Sequence, residues 1–154
     1  MKQLIMLLAA AAVITACAKS EMLNICLANG YDQTVIVSGC GEDFSIDPGS
    51  IHLIAVCGAY GSGFTLDTPE LWRAFFYEKY DSLTIYAEDN TNTVLDKWTK
   101  DDTHQGNPFD ISNWSNEEKI ESGIDGGIRE GPAYTFLVSA YTRTKLNLTY
   151  VIAP

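Results

Sequence analysis

The sequence predicts a mostly β chain: an antiparallel β-sandwich of about seven or eight strands with one or two short helices. Three observations carry that expectation. Short apolar runs that alternate or are β-branched recur along the chain, as in "LNICLA", "TVIVS", "LTIYA" and "LNLTYVI". Turn residues separate them: Asn29-Gly30, Asp47-Pro48-Gly49 and the glycines between 123 and 131. Only two stretches carry helix-start patterns, and both are brief.

The chain opens with Lys2 and an apolar run over 4–16, small-residued at its end. A charged start followed by a short apolar segment is a secretory signal, too short for the roughly 20 residues of a spanning helix. Ile14-Thr15-Ala16-Cys17 fits the bacterial lipobox, in which small residues admit the peptidase and the cysteine thiolate accepts diacylglycerol. Further acylation (palmitate or similar chains) adds about 0.8 kcal/mol per buried CH2, which makes the anchor effectively permanent. The expected organisation is therefore a lipoprotein signal over 1–16, a lipidated linker over 17–22 and one sandwich domain over 23–154. Ala18, rather than Asp, follows the cysteine, which by resemblance to enteric lipoproteins favours the outer membrane. Either its periplasmic or its surface side is consistent with the short "AKSE" sequence.

Within the domain, residues 22–28 alternate, with Leu23, Ile25 and Leu27 on one face. Residues 34–38 form a second strand. Residues 44–47 and 51–56 flank Pro48-Gly49, a pair suited to a type II turn because Pro presets φ and Gly accepts φ > 0. If those two residues close a hairpin, Ile46 faces Ile51, Phe44 faces Leu53, and Cys40 falls opposite Cys57 on a non-hydrogen-bonded pair. Three cysteines remain after lipidation, so three pairings are open, and this register favours Cys40–Cys57 with Cys26 free. Type II geometry splays tight hairpins, and Gly39 and Gly41 suggest a bulge, both of which work against that register. The "GAYGSGF" stretch at 58–64 reads as a loop.

Thr68-Pro69-Glu70 starts a short helix, with Thr as cap, Pro at the first helical position and Leu71, Phe75 and Trp72 on its buried face. Residues 83–87 are a strand, a polar turn leads to Val94 and Trp98, and residues 99–114 form an irregular loop. Ser115-Asn116-Glu117-Glu118 fits a capping box, so a brief helix is expected near 116–121. Residues 134–141 and 146–152 are two closing strands joined by a turn at 142–145.

Composition excludes one partner class. Loss of residues 1–16 leaves 138 residues, enough for a core, with 9 basic and 20 acidic side chains, a net charge of −11. Such a surface repels nucleic acid and anionic lipid.

Chemistry is sparse. His52 lies in a strand and His104 in a polar loop, with no HExxH, CxxC or two-His metal spacing, and Gly61-Ser62-Gly63 is not a nucleophile elbow. Asp89 to Asp96 offers oxygen ligands without the EF-hand alternation. No cofactor and no catalytic or metal residues are expected. Trp98 and Trp114 flank the 99–114 loop and are the candidate sugar-stacking aromatics, although large rings also fill sandwich cores. Asp81-Ser82-Leu83 matches a three-residue bacterial O-glycosylation pattern at Ser82, and Asn147-Leu148-Thr149 is a formal sequon.

The lipobox, "LNICLANGYDQTVIV", "FSIDPGS", "LTIYAEDNTNTVLDKW" and "LNLTYVIAP" together resemble the small uncharacterised lipoproteins of Bacteroides-type gut bacteria, over about half the mature chain. The resemblance implies a β-sandwich and an envelope location, and no activity. The resulting expectation is a non-catalytic, lipid-anchored envelope protein that binds a glycan, a peptide or another envelope protein. An inhibitor or immunity-type protein of the periplasm is the alternative, and a hydrolase comes behind both.

Overall fold

The computed structural model describes residues 18–60, 65–88, 90–128 and 136–154. Its first strand, β1 (Ala18–Asn29), follows Cys17 directly, so residues 18–22 of the expected linker are strand. The period-two alternation holds: Leu23, Ile25 and Leu27 share one face and are fully buried. Each such side chain contributes about 1.5–3 kcal/mol of burial. There follow β2 (Val35–Ser38), β3 (Phe44–Ile46), β4 (Ile51–Tyr60), the helix α1 (Thr68–Trp72), β5 (Ser82–Ala87), β6 (Asn90–Thr99), β7 (Ser115–Ile128) and β8 (Phe136–Ile152).

These strands make two four-stranded sheets, ordered β4-β1-β8-β7 and β3-β2-β5-β6. The sandwich is antiparallel except where the first strand meets the last. β1 and β8 run parallel, from Ala18 beside Tyr141 to Asn29 beside Ile152. Across that seam the Asn24 side-chain amide donates to Asn147 Oδ1 at 2.9 Å. One core cluster joins both sheets and α1, including Leu23, Val37, Ile85, Phe76, Trp98 and Ile152.

Several sequence expectations are corrected. The Asp47–Ser50 turn forms, with Ser50 N–H on the Asp47 carbonyl at 3.0 Å and Gly49 at φ 68°. It does not close a hairpin. β3 pairs with β2 (Val35 beside Ile46) and β4 with β1 (Leu23 beside Cys57), so the turn carries the chain from one sheet to the other. The register that opposed Cys40 to Cys57 is therefore absent, and Cys26, Cys40 and Cys57 are unbonded.

The capping-box segment near 116–121 is not a helix but the start of β7, paired with β8 from Ser115–Thr149 onward. A hydrogen-bonded neighbouring strand outweighs an isolated turn of helix, which is marginal. The expected turn at 142–145 is also strand. β8 runs unbroken from Phe136 to Ile152 because both of its edges are paired and its Thr142 and Thr144 suit a strand. Opposite Tyr141 sits Gly123, where a Cβ would stand 2.7 Å from the tyrosine hydroxyl; the ring occupies that space.

Asp67, not Thr68, caps α1 by accepting the Glu70 N–H at 3.0 Å. The helix continues through Tyr77 as a wider π-type turn, with Glu78 N–H reaching the Arg73 carbonyl at 2.8 Å. Trp72, Phe76 and Tyr80 form its buried face, while Phe75 is 39% exposed. Trp72 is buried as expected and Leu71 packs partly buried against the core, while Phe76 and Tyr80 take the place expected for Phe75.

Asn29 ties the ends of three segments. Buried at 2% exposure, it donates to the Gln33 and Ile46 carbonyls (2.8 and 2.9 Å) and accepts the Tyr31 N–H at 2.9 Å. Gly30 N–H donates to the Ile152 carbonyl at 2.7 Å, an approach a side chain would obstruct.

Candidate functional site

α1 and the 107–111 segment face each other across a shallow groove of about 430 Å3. Pro69, Trp72, Tyr77, Phe109 and Ile111 supply its apolar wall, with Arg73 and Asp110 exposed at its margin. The helix side is positioned by Trp72 and Phe76, which pack on Trp114 with ring centroids 6.4 and 4.9 Å away. Phe109 is held 5.3 Å from the Phe76 ring.

The loop side is fixed by Asn107, which is 5% exposed. Its amide donates to the Thr99 and Asp102 carbonyls, its Oδ1 accepts the Phe109 N–H, and its own carbonyl accepts from Asn113 Nδ2. The 99–114 stretch is thus irregular yet preorganised. Asp110 caps the single 3-10 turn Ile111–Asn113, and the Ser112 N–H and hydroxyl hold its carboxyl below the usual range. It is ionised at neutral pH. Trp72 Nε1 is buried with no acceptor among the described residues, the one such side-chain atom there. A donor left in that state is costly, and a ligand oxygen would relieve it.

The residues singled out in the sequence occupy other positions. Trp98 and Trp114 are 5% and 7% exposed, so neither presents a face to a sugar. Both pack against Tyr150, with centroids 5.9 and 5.6 Å from its ring. The Trp114 indole donates to the Pro108 carbonyl at 2.7 Å. Core-filling outcompeted display because a Trp ring loses more solvent-exposed apolar area on burial than any neighbouring residue. Ser82 is half-buried at the start of β5, beside Thr99 of β6. Cys17 and the 61–64 loop lie outside the described residues, as does Asp89.

Among the described residues the two histidines lie apart. His52 stacks on Phe44 at 3.7 Å, while His104 is on an exposed loop 4.0 Å from Asp102. Burial pushes the Cys40 thiol up to about 12 and raises those of Cys26 and Cys57, which disfavours thiolate nucleophiles. Burial also raises Asp96, and burial together with the Asp96 charge raises Tyr31 and Tyr150. Tyr150 uses its retained proton structurally, donating to the Gly106 carbonyl at 2.5 Å. Among the described residues, no group of three His, Cys, Asp or Glu side chains is placed to hold a metal ion.

Two further surfaces stand out. A wider concavity of about 750 Å3 lies on the outer face of the β3-β2-β5-β6 sheet, between Ile36, Phe44 and Tyr86 with Asp43 and Glu88. It holds carboxylates without a cation, whereas the α1 groove combines rings with both charge signs. On the outer face of the other sheet, Met22, Ile51, Leu53, Val56 and Val151 are exposed, five of the eight large apolar side chains so exposed among the described residues. Neither the groove nor this face is signalled in the sequence. Tyr77 and Phe109 are far apart along the chain, and β4 reads as an ordinary apolar strand.

No family model, no curated protein and no solved structure matches the chain.

Proposed function

We propose that this chain is a non-catalytic, lipid-anchored envelope protein that binds a glycan in the groove between α1 and the 107–111 turn. The observation that carries the reading is the lining of that groove: the half-buried Tyr77 ring beside Pro69 and Ile111, over a floor of Trp72 and Phe109, flanked by the Arg73 guanidinium and the ionised Asp110. Apolar ring surface beside a few oriented polar groups is what a sugar needs, since its C–H faces stack while its hydroxyls hydrogen-bond. The anchor follows from the lipobox at Cys17, and the partner on that side is the membrane.

A glycan array probed with the full chain tests the binding. Tyr77→Ala and Asp110→Asn lie at the groove, Tyr77 half-buried at the edge of the core and Asp110 exposed. Each is expected to weaken retention by about tenfold or more, the scale of one lost buried contact. Unchanged retention in both variants, or retention of peptides in place of glycans, would overturn the reading. Radiolabelled palmitate, incorporated by the parent chain and lost in Cys17→Ala, tests the anchor separately.

The preorganised 99–114 loop favours a second reading, the inhibitor. Asn107 holds that loop in one conformation, with Thr103, His104 and Gln105 exposed on it, as a segment that blocks an enzyme cleft requires. Protection of this loop from proteolysis by one envelope enzyme, with loss of that enzyme's activity, would support it.

A further inference from the structure

We infer that the glycan taken by the groove between α1 and the 107–111 turn carries a free amine, as a de-N-acetylated hexosamine does, and that Asp110 selects it. The inference rests on the glycan reading above and adds the charge of the ligand.

The charges around the groove decide its sign. The two segments that build it, 67–81 and 99–114, hold seven carboxylates and three cations. Each cation is accounted for. Arg73 Nε lies 3.3 Å from Glu78 Oε1, and Lys100 Nζ lies 2.8 Å from Asp81 Oδ1. Lys79 stands 5.2 Å from the Tyr80 ring centroid, and the thiol its charge acts on is Cys40, outside the groove lining. The Arg73–Glu78 pair is exposed and loosely held, but its two charges cancel in any arrangement. Asp110 is the charged lining residue with no cation in contact among the described residues. Its carboxyl is lowered by Ser112, and no guanidinium or ammonium contributes.

Asp110 also has the capacity and the position. A carboxylate offers about four lone-pair sites, and the Ser112 N–H and hydroxyl engage this one without filling it. The side chain is exposed, and the backbone beneath it is fixed before any ligand arrives: Asp110 N–H donates to the Asn107 carbonyl at 3.1 Å, and the side chain caps the Ile111–Asn113 turn. Little ordering entropy is therefore lost on binding. Tyr77 stands on the helix wall and Asp110 on the loop wall, so a sugar stacked on the first presents its substituents to the second. An ammonium there gains a Coulombic attraction that a hydroxyl or acetamide lacks. A uronic carboxylate would meet Asp110 and the exposed Glu70 with like charge.

Three oligosaccharides of equal length test this: a glucosamine oligomer, the same oligomer N-acetylated, and a uronic-acid oligomer. Each is titrated calorimetrically against the full chain, buffered well below the amine's pKa, at low and high salt. The amine-bearing oligomer should bind about tenfold more tightly than its N-acetylated counterpart, the scale of one hydrogen bond to a charged group. Salt should narrow the gap. Asp110→Asn keeps a good capping residue and should close it, whereas Arg73→Gln should preserve or widen it. A gap that survives Asp110→Asn would seat the amine elsewhere on the acidic surface and overturn the inference, as would its loss in Arg73→Gln. Equal or tighter binding of the N-acetylated or uronic oligomer would overturn it and leave the glycan reading standing. Binding of none of the three would also overturn it, and the glycan array would then decide the broader reading separately.

Discussion

Trp114 donates its indole N–H to the carbonyl of Pro108 at 2.7 Å, so a ring expected at the surface staples the 99–114 loop to the core. Trp114→Phe keeps most of the packing but strands that carbonyl. Stability should fall by about 1–3 kcal/mol in urea denaturation. Trp114→Ala should cost about 3–5 kcal/mol because it also opens a cavity. A neutral Trp114→Phe would show that the bond adds nothing.

Asn29 makes three side-chain hydrogen bonds that join the end of β1 to the following turn and to β3. Asn29→Ala should destabilise by at least about 2 kcal/mol, since buried backbone groups lose their partners. Asn29→Asp cannot rescue it, because the carboxylate lacks the two donors. Equal stabilities of parent and Asn29→Asp would contradict this role.

The thiols offer a test of the topology. Cys26, Cys40 and Cys57 are buried and unbonded, so each should resist maleimide in the native chain and react on unfolding. A Cys40–Cys57 disulfide found by peptide mapping would refute the sheet-crossing turn between β3 and β4. The same burial sets a pH dependence. The folded state holds the Cys40 proton up to about 12, while the unfolded thiol releases it near 9.0. The unfolded state therefore gains charge first, and stability should fall as pH rises between those values.

The carboxyls act in opposite directions. Burial raises Asp96, so its ionisation opposes folding, and Asp96→Asn should stabilise the chain at neutral pH. Glu21 is lowered, chiefly by the Leu66 N–H on its carboxylate at 2.8 Å and also by Lys19. Its contribution is present above the ordinary value of 4.5 and is lost as pH falls through its lower folded value. Glu21→Gln should flatten acid unfolding in that range. A steeper acid limb in Glu21→Gln would reverse the assignment.

Much of the local structure was legible in the sequence. The alternation in β1, the β-branched β2, the Pro48-Gly49 turn and the first turn of α1 all stand where residue chemistry puts them. The misreadings share a cause. Ser115–Glu118 satisfies a helix-start pattern, and 142–145 is polar enough for a turn, yet both are strand in β7 and β8. Local preference there is worth a few tenths of a kcal/mol per residue, and a continuous ladder of backbone hydrogen bonds outweighs it. The candidate groove was not legible because Trp72, Tyr77 and Phe109 meet only through packing on Phe76 and Trp114.

By itself, the sequence determined the mostly β character, the inward face of β1 and the sharp turn after β3, because alternation and φ preference act within a few residues. The expected lipidation at Cys17 is likewise a matter of four consecutive residues. Tertiary structure alone decided that β3 joins β2, that β8 lies parallel to β1, and that Trp98 and Trp114 are core. Alternation states which side of a strand is buried. Which strand lies beside it depends on pairings across as many as 123 residues, as between Asn24 and Asn147, and these are chosen by the burial of the whole sheet.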